Sequence, residues 1–219
     1  MITAVFDLDG TLADTIYDLG DAVNYGLEKL GCPVHDYESY KKMVGNGVKK
    51  LCERALPEDK KDRAHELHSL FREYYNAHYL DKTRLYDGMK ETLKRLRDSG
   101  VILAVATNKP EDAAREIVWE LLPDIDFVRV LGGNEHRLTK PDTAILIEIL
   151  AALPDEENRV YMIGDSNVDV QTAKNAGIQC IGCAWGFRGR EELVSAGADF
   201  IAEKPSDIAD IILGESVLL

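Results

Sequence analysis

The chain holds no apolar run near the roughly 20 residues needed to cross a bilayer as a helix. Asp7 and Asp9 interrupt the apolar start of the sequence before a signal-peptide core can form, so a cytoplasmic protein is expected. Positive charge is also in short supply: 26 Lys and Arg stand against 39 Asp and Glu, a net charge of −13. That field repels phosphate backbones and anionic lipid, which argues against nucleic acid or a membrane surface as partner. An anionic small substrate would then need a local cation, from a metal or from particular Lys and Arg side chains. Cysteine is sparse too. Cys180-Ile181-Gly182-Cys183 is the one C-x-x-C among four cysteines, and it sits in the strand-like run CIGCAW, so buried thiols are expected rather than zinc or redox chemistry. Gly45-Asn46-Gly47-Val48-Lys49-Lys50 lacks the spacing of a P-loop. His65-Glu66-Leu67-His68 lacks the i, i+4 spacing of a metalloprotease helix, which makes it a solvated helix face. There are no internal repeats, low-complexity tracts or long linkers.

What is present is ordinary globular composition, 45% hydrophobic and 30% charged, in 219 residues. That is enough to bury a sizeable core, as one large domain or as a core carrying a smaller insert. Short β-branched runs at 2–7, 101–106, 128–131, 160–164, 179–184 and 199–201 predict strands. Amphipathic segments near 88–99, 111–122, 142–152, 167–176, 190–196 and 205–213 alternate with the later ones. This alternation predicts an α/β fold, a Rossmann-like parallel sheet with helices on both faces. The first interval breaks the rhythm, with more than ninety residues and no convincing strand. Ile16, Leu19, Val23, Leu27 and Leu30 recur at helical spacing, and segments near 39–55 and 58–80 also read as helical. The expected division is a core of 1–14 and 84–219 carrying an all-helical insert at 15–83, with hinges near 12–16 and 81–87.

Ligands of open α/β sheets bind beyond the carboxyl ends of the strands, so the polar residues there matter most. The first strand runs out into Asp7-Leu8-Asp9-Gly10-Thr11, the run at 101 into Thr107-Asn108, and the run at 160 into Gly164-Asp165-Ser166-Asn167-Val168-Asp169. Lys140-Pro141 precedes the helix near 142. Buried carboxylates are costly and a close pair repel, so such placement needs a compensating cation. Singly, each element has a plain structural use: turn caps at Asp7 and Asp9, an N-cap at Asp165-Ser166, a surface lysine at 140. Their joint placement at one sheet edge is what points to chemistry.

The whole set, in this order, resembles the haloacid dehalogenase (HAD)-like hydrolase superfamily, and within it the phosphatases with a helical cap after the first strand. The resemblance covers essentially the entire chain. It implies that Asp7 attacks phosphorus to form an aspartyl-phosphate and that Asp9 protonates the leaving alkoxide and later activates water. It implies Mg²⁺ held by the Asp7 and Asp165 carboxylates and the Asp9 carbonyl, with Asp169 anchoring from behind or ligating through water. Thr107, the backbone N–H of Asn108 and Lys140 would hold the phosphoryl group.

ATNKP at 106–110 and IGDSNVDVQTAKNAG at 163–177 resemble phosphoglycolate phosphatases, as does the cap segment VGNGVKKLCERAL. By that resemblance Gly45, Asn46 and Gly47 face the substrate, as does Arg188 in Trp185-Gly186-Phe187-Arg188-Gly189, which resembles the family's loop after the fifth strand; Lys49, Lys50 or Arg188 would meet the substrate carboxylate. The expected partner is a small phosphorylated metabolite and the expected state a monomer or homodimer. Inorganic pyrophosphatase and 5′-nucleotidase activities remain open on this scaffold, followed by sugar phosphomutase. Asp9 argues against a dehalogenase. A non-catalytic phosphoryl-binding regulatory module is the rival of another class; it would need neither Asp9 as a proton shuttle nor so large a cap.

Overall fold

A computed structural model describes residues 1–153 and 159–214. Among these residues the strands, in chain order, are β1 (Ile2–Phe6), β2 (Ala13–Asp14), β3 (Arg84–Leu85), β4 (Ile102–Pro110), β5 (Arg129–Gly133), β6 (Arg159–Gly164), β7 (Gln179–Cys183) and β8 (Phe200–Ala202). Six of them form one parallel sheet in the order β5-β4-β1-β6-β7-β8. The helices are α1 (Ile16–Lys29), α2 (Tyr37–Met43), α3 (Val48–Ala55), α4 (Ala64–His78), α5 (Met89–Asp98), α6 (Glu111–Leu121), α7 (Ala144–Leu150), α8 (Asn167–Ala176), α9 (Gly189–Ala196) and α10 (Pro205–Leu213).

The alternation of side chains along each strand decides what covers each face. Ala4 and Phe6 pack with Leu93 of α5, Ile117 of α6 and Ile208 of α10. Val5, one residue out of phase, packs with Ile149 of α7, Val170 of α8 and Leu193 of α9. Burying each such side chain is worth about 1.5–3 kcal/mol, so this two-sided core holds the sheet flanked by helices that the sequence pattern predicts. The same parity separates Cys180 from Cys183: the first joins the Val5 side and the second the Phe6 side, and both are buried free thiols.

Helices α1 to α4 close around a core of their own, including Leu19, Val23, Leu27, Leu51, Leu67 and Phe71. We infer from this separate core that residues 15–83 form the cap. The helix expected over 39–55 is divided into α2 and α3, because Gly45 and Gly47 adopt φ of 114° and 82° and end the helical path. The segment expected over 58–80 begins with a 3₁₀ turn, Glu58–Arg63, before α4. The first interval also holds strands that were not expected there. β2 and β3 pair antiparallel, Ala13 with Leu85 and Asp14 with Arg84, where the chain leaves the core and returns to it. Two residues per strand are too few to leave a periodic signature. Asp18, buried in the first turn of α1, accepts hydrogen bonds from the backbone N–H of Lys82 and Thr83 (3.0 and 2.8 Å), tying the two crossings together.

Candidate active site

β1 lies between β4 and β6, so the segments following these three strands converge at one sheet edge, where the strand order reverses direction. Asp7 follows β1 directly and is buried; its backbone N–H bonds the Ile163 carbonyl at 2.8 Å. Lys140 reaches it from the loop before α7, with Nζ 3.1 Å from Asp7 Oδ1 and 2.6 Å from Asp169 Oδ1. The lysine side chain is 1% exposed, and the two carboxylates 12% and 0%.

Asp169 is fully engaged. Its other oxygen accepts from the Ser166 hydroxyl (2.7 Å) and backbone N–H (3.2 Å), closing a capping box at the start of α8. It therefore holds Lys140 in place while starting the helix. Asp165 sits one residue before that cap and accepts from the Phe187 N–H at 2.7 Å. The loop after β7 can come so close because residue 186 is glycine: a Cβ there would lie 2.2 Å from Asp165 Cβ.

Asp7, Asp165 and Asp169 offer oxygens within 4.8 Å of one another, all buried, and among the described residues the ammonium of Lys140 is the one paired with them. Burial, with Asp169 and Asp9 adding to it and Lys140 and the Thr107 hydroxyl opposing it, raises the Asp7 carboxyl to about 6. Burial, then Asp169 and Asp7, push Asp165 well above the usual carboxylate range. Burial works against the charge on Lys140, but Asp169 and Asp7 outweigh it and its pKa is raised. A hard oxygen donor set short of positive charge fits a hard divalent cation, and Asp7 and Asp165 are the carboxylates not consumed elsewhere.

Thr107 and Asn108 follow the central part of β4, which runs on to Pro110 rather than ending near 106. The Asn108 carboxamide is spent on backbone: Oδ1 accepts from the Lys140 N–H (2.8 Å), and Nδ2 donates to the carbonyls of Lys140 (3.0 Å) and Gly45 (2.9 Å). It thereby fixes the loop that carries the lysine and latches the cap turn to the core.

Asp9 stands apart from the acidic cluster. Its Oδ1 accepts from Lys109 Nζ at 2.9 Å and from the Thr15 hydroxyl at 2.8 Å. Lys109 was missed from the sequence. It lies immediately after Thr107-Asn108, where a lysine beside a proline reads as a surface residue, yet its side chain is 1% exposed. Its ammonium sits 4.9 Å from the centre of the Tyr75 ring of α4, so it touches cap and core together.

Asp7, Asp9, Thr107, Asn108, Lys109 and Asp165 line a narrow cavity with Gly45, Gly47, Val48 and Arg188 on its cap-facing side. Arg188 donates to the Val44 carbonyl at 2.7 Å. Asn46 is not brought to this cavity; its side chain accepts from Arg54 and borders the neighbouring cleft, as does Lys49. Lys50 pairs with Glu53 on the surface.

With this geometry in hand, the comparisons with known proteins are consistent across sequence and structure. Residues 4–183 match the family model described as haloacid dehalogenase-like hydrolase. A phosphoglycolate phosphatase of Vibrio parahaemolyticus is 32% identical over 94% of this chain and 94% of its own. One of Pseudomonas putida is 35% identical over 94% of this chain and 75% of its own. A crystal structure from Lactobacillus delbrueckii subsp. bulgaricus, whose own assignment as a phosphoglycolate phosphatase is provisional, superposes with a TM-score of 0.91 at 32% identity, covering 97% of this chain and 98% of that one. Fold, strand-end residues and relatives agree: the chain belongs to the haloacid dehalogenase-like hydrolase family.

Proposed function

We propose that this protein is a Mg²⁺-dependent phosphatase that hydrolyses a small phosphate monoester through an aspartyl-phosphate, with 2-phosphoglycolate as its substrate. The observation that carries the reading is the division of labour between two carboxylates two residues apart. Asp7 lies in the buried acidic cluster beside Lys140, whereas Asp9 lies outside that cluster at the cavity wall. The relatives named for phosphoglycolate support the choice of substrate.

The Asp7 carboxylate attacks phosphorus as the ester oxygen departs, and Asp9, as the acid, gives that oxygen its proton. Asp9 then removes a proton from the water that attacks the phosphorus of the aspartyl-phosphate, which releases inorganic phosphate and restores Asp7. Lys140 and Thr107 hold the phosphoryl oxygens, with the Asn108 N–H beside them, and Asn108 keeps Lys140 in position through its carboxamide. Mg²⁺, held by the carboxylates of Asp7 and Asp165 and the Asp9 carbonyl, with Asp169 behind them, would offset the negative charge that gathers as nucleophile and phosphoryl group approach. Gly45, Gly47 and Arg188 close the cavity from the cap side and keep bulk water from the phosphoenzyme. No helix among the described residues is long and apolar enough to cross a membrane; we place the enzyme in the cytoplasm, as a monomer or homodimer.

A panel of 2-phosphoglycolate, pyrophosphate, nucleoside monophosphates and sugar phosphates, assayed by phosphate release with and without Mg²⁺, tests this. The highest kcat/KM belongs to 2-phosphoglycolate. A larger value for pyrophosphate or a nucleotide overturns the substrate, and no Mg²⁺-dependent release from any ester overturns the phosphatase.

A further inference from the structure

The cations that border the cavity are not equivalent. Lys140 beneath it is committed to Asp7 and Asp169. Arg188 is bonded to the Val44 carbonyl and has Glu192 4.0 Å away. Lys49 and Lys50, the residues expected to meet a substrate carboxylate, do not line the cavity. Lys109 does, and its one carboxylate partner in the described residues is Asp9.

That partnership uses one oxygen of Asp9. Lys109 and the Thr15 hydroxyl both sit on Oδ1, which leaves Oδ2 to take a proton from water and pass it to the ester oxygen while the pair stays intact. The ammonium is 1% exposed and therefore strongly favours a second anion beside it. In a substrate whose leaving group carries a carboxylate one carbon beyond the ester oxygen, that anion lies within a few ångströms of the atom Asp9 protonates, and hence beside Lys109.

We propose that Lys109, lining the cavity beside Asp9, is the residue that recognises the leaving-group carboxylate. This rests on the phosphatase reading given above. The contact of Lys109 with the Tyr75 ring ties its position to α4, so the subsite is complete when the cap is seated as seen here.

The test is the ratio of kcat/KM for 2-phosphoglycolate to that for 2-hydroxyethyl phosphate, an ester of the same carbon count whose leaving group is uncharged, in wild type, Lys109→Met and Lys109→Arg. Both substrates are measured on one preparation, so the ratio does not depend on how much of it is folded. Wild type favours the carboxylate by at least about thirtyfold, the low end of what losing one partner of a buried charge pair costs. In Lys109→Met the preference falls to within about threefold, chiefly through a higher KM for 2-phosphoglycolate, and Lys109→Arg restores part of it. A purely structural role for Lys109 lowers both substrates together and keeps the ratio; that result overturns the proposal and leaves the phosphatase reading intact. A wild-type enzyme with no preference between the two esters overturns this assignment and the phosphoglycolate reading together.

Discussion

Lys140→Met removes the ammonium that reaches the buried acidic cluster. In the native protein Nζ lies 2.6 Å from Asp169 and 3.1 Å from Asp7, with at most 12% of any of these side chains exposed. Methionine nearly preserves the volume and deletes the charge, so the loss is that of one partner from a buried pair, about 3–5 kcal/mol. At about 2–4 °C per kcal/mol for a chain of this size, Tm in EDTA falls by roughly 6–20 °C. The pH dependence distinguishes electrostatics from packing. Lys140 has a raised pKa, so its own charge is complete throughout pH 5–7.5 and contributes no slope there. The Asp7 carboxyl, already raised to about 6, rises further without the lysine and takes up a proton as pH falls. The variant's deficit therefore shrinks between pH 7.5 and 5, which urea unfolding of both proteins at the two pH values measures directly. A variant within about 1 kcal/mol of wild type at pH 7.5, or a deficit that grows on acidification, would refute this account of the cluster.

The remaining predictions concern the same groups. Asp7→Asn abolishes turnover with its far-UV circular dichroism and unfolding cooperativity unchanged, since it removes the nucleophile and one buried charge; measurable steady-state turnover refutes the assignment. Asp9→Asn lowers kcat for an alkyl phosphate by about 10²–10⁴-fold and for p-nitrophenyl phosphate by less, because a good leaving group needs little protonation. Equal losses on the two esters would contradict a general acid. The increase in Tm produced by Mg²⁺ is larger at pH 7.5 than at pH 5. Asp7, raised from 3.8 to about 6, makes the metal-free protein lose stability as pH rises through that window, and the cation offsets the loss. Gly186→Ala forces a Cβ to within 2.2 Å of Asp165 and weakens Mg²⁺ binding by at least tenfold in a calorimetric titration, a loss that a tolerant loop would not show.

Much of this molecule is local in sequence. Alternating apolar runs determined the sheet, because Ala4 and Phe6 must face away from Val5 whatever surrounds them. The pattern at strand ends identified Asp7, Asp9, Thr107, Lys140, Asp165 and Asp169 as one set, since a parallel sheet delivers such ends to a single edge. A ribbon of two residues per strand is beyond any periodic signal, so β2 and β3 emerged only when residues 13–14 and 84–85 met in space. The split of the 39–55 segment depended on two glycines taking positive φ, which composition permits but does not require. Which cation serves which carboxylate was decided by tertiary structure alone. Lys140 and Lys109 are both lysines next to prolines, and nothing local says that one is held by Asp169 and Asp7 while the other reaches Asp9 under the cap. The physical reason is range: periodicity and turn chemistry act over a few residues, whereas the pairing of buried charges is set by groups a hundred or more positions apart that meet only when the chain is folded.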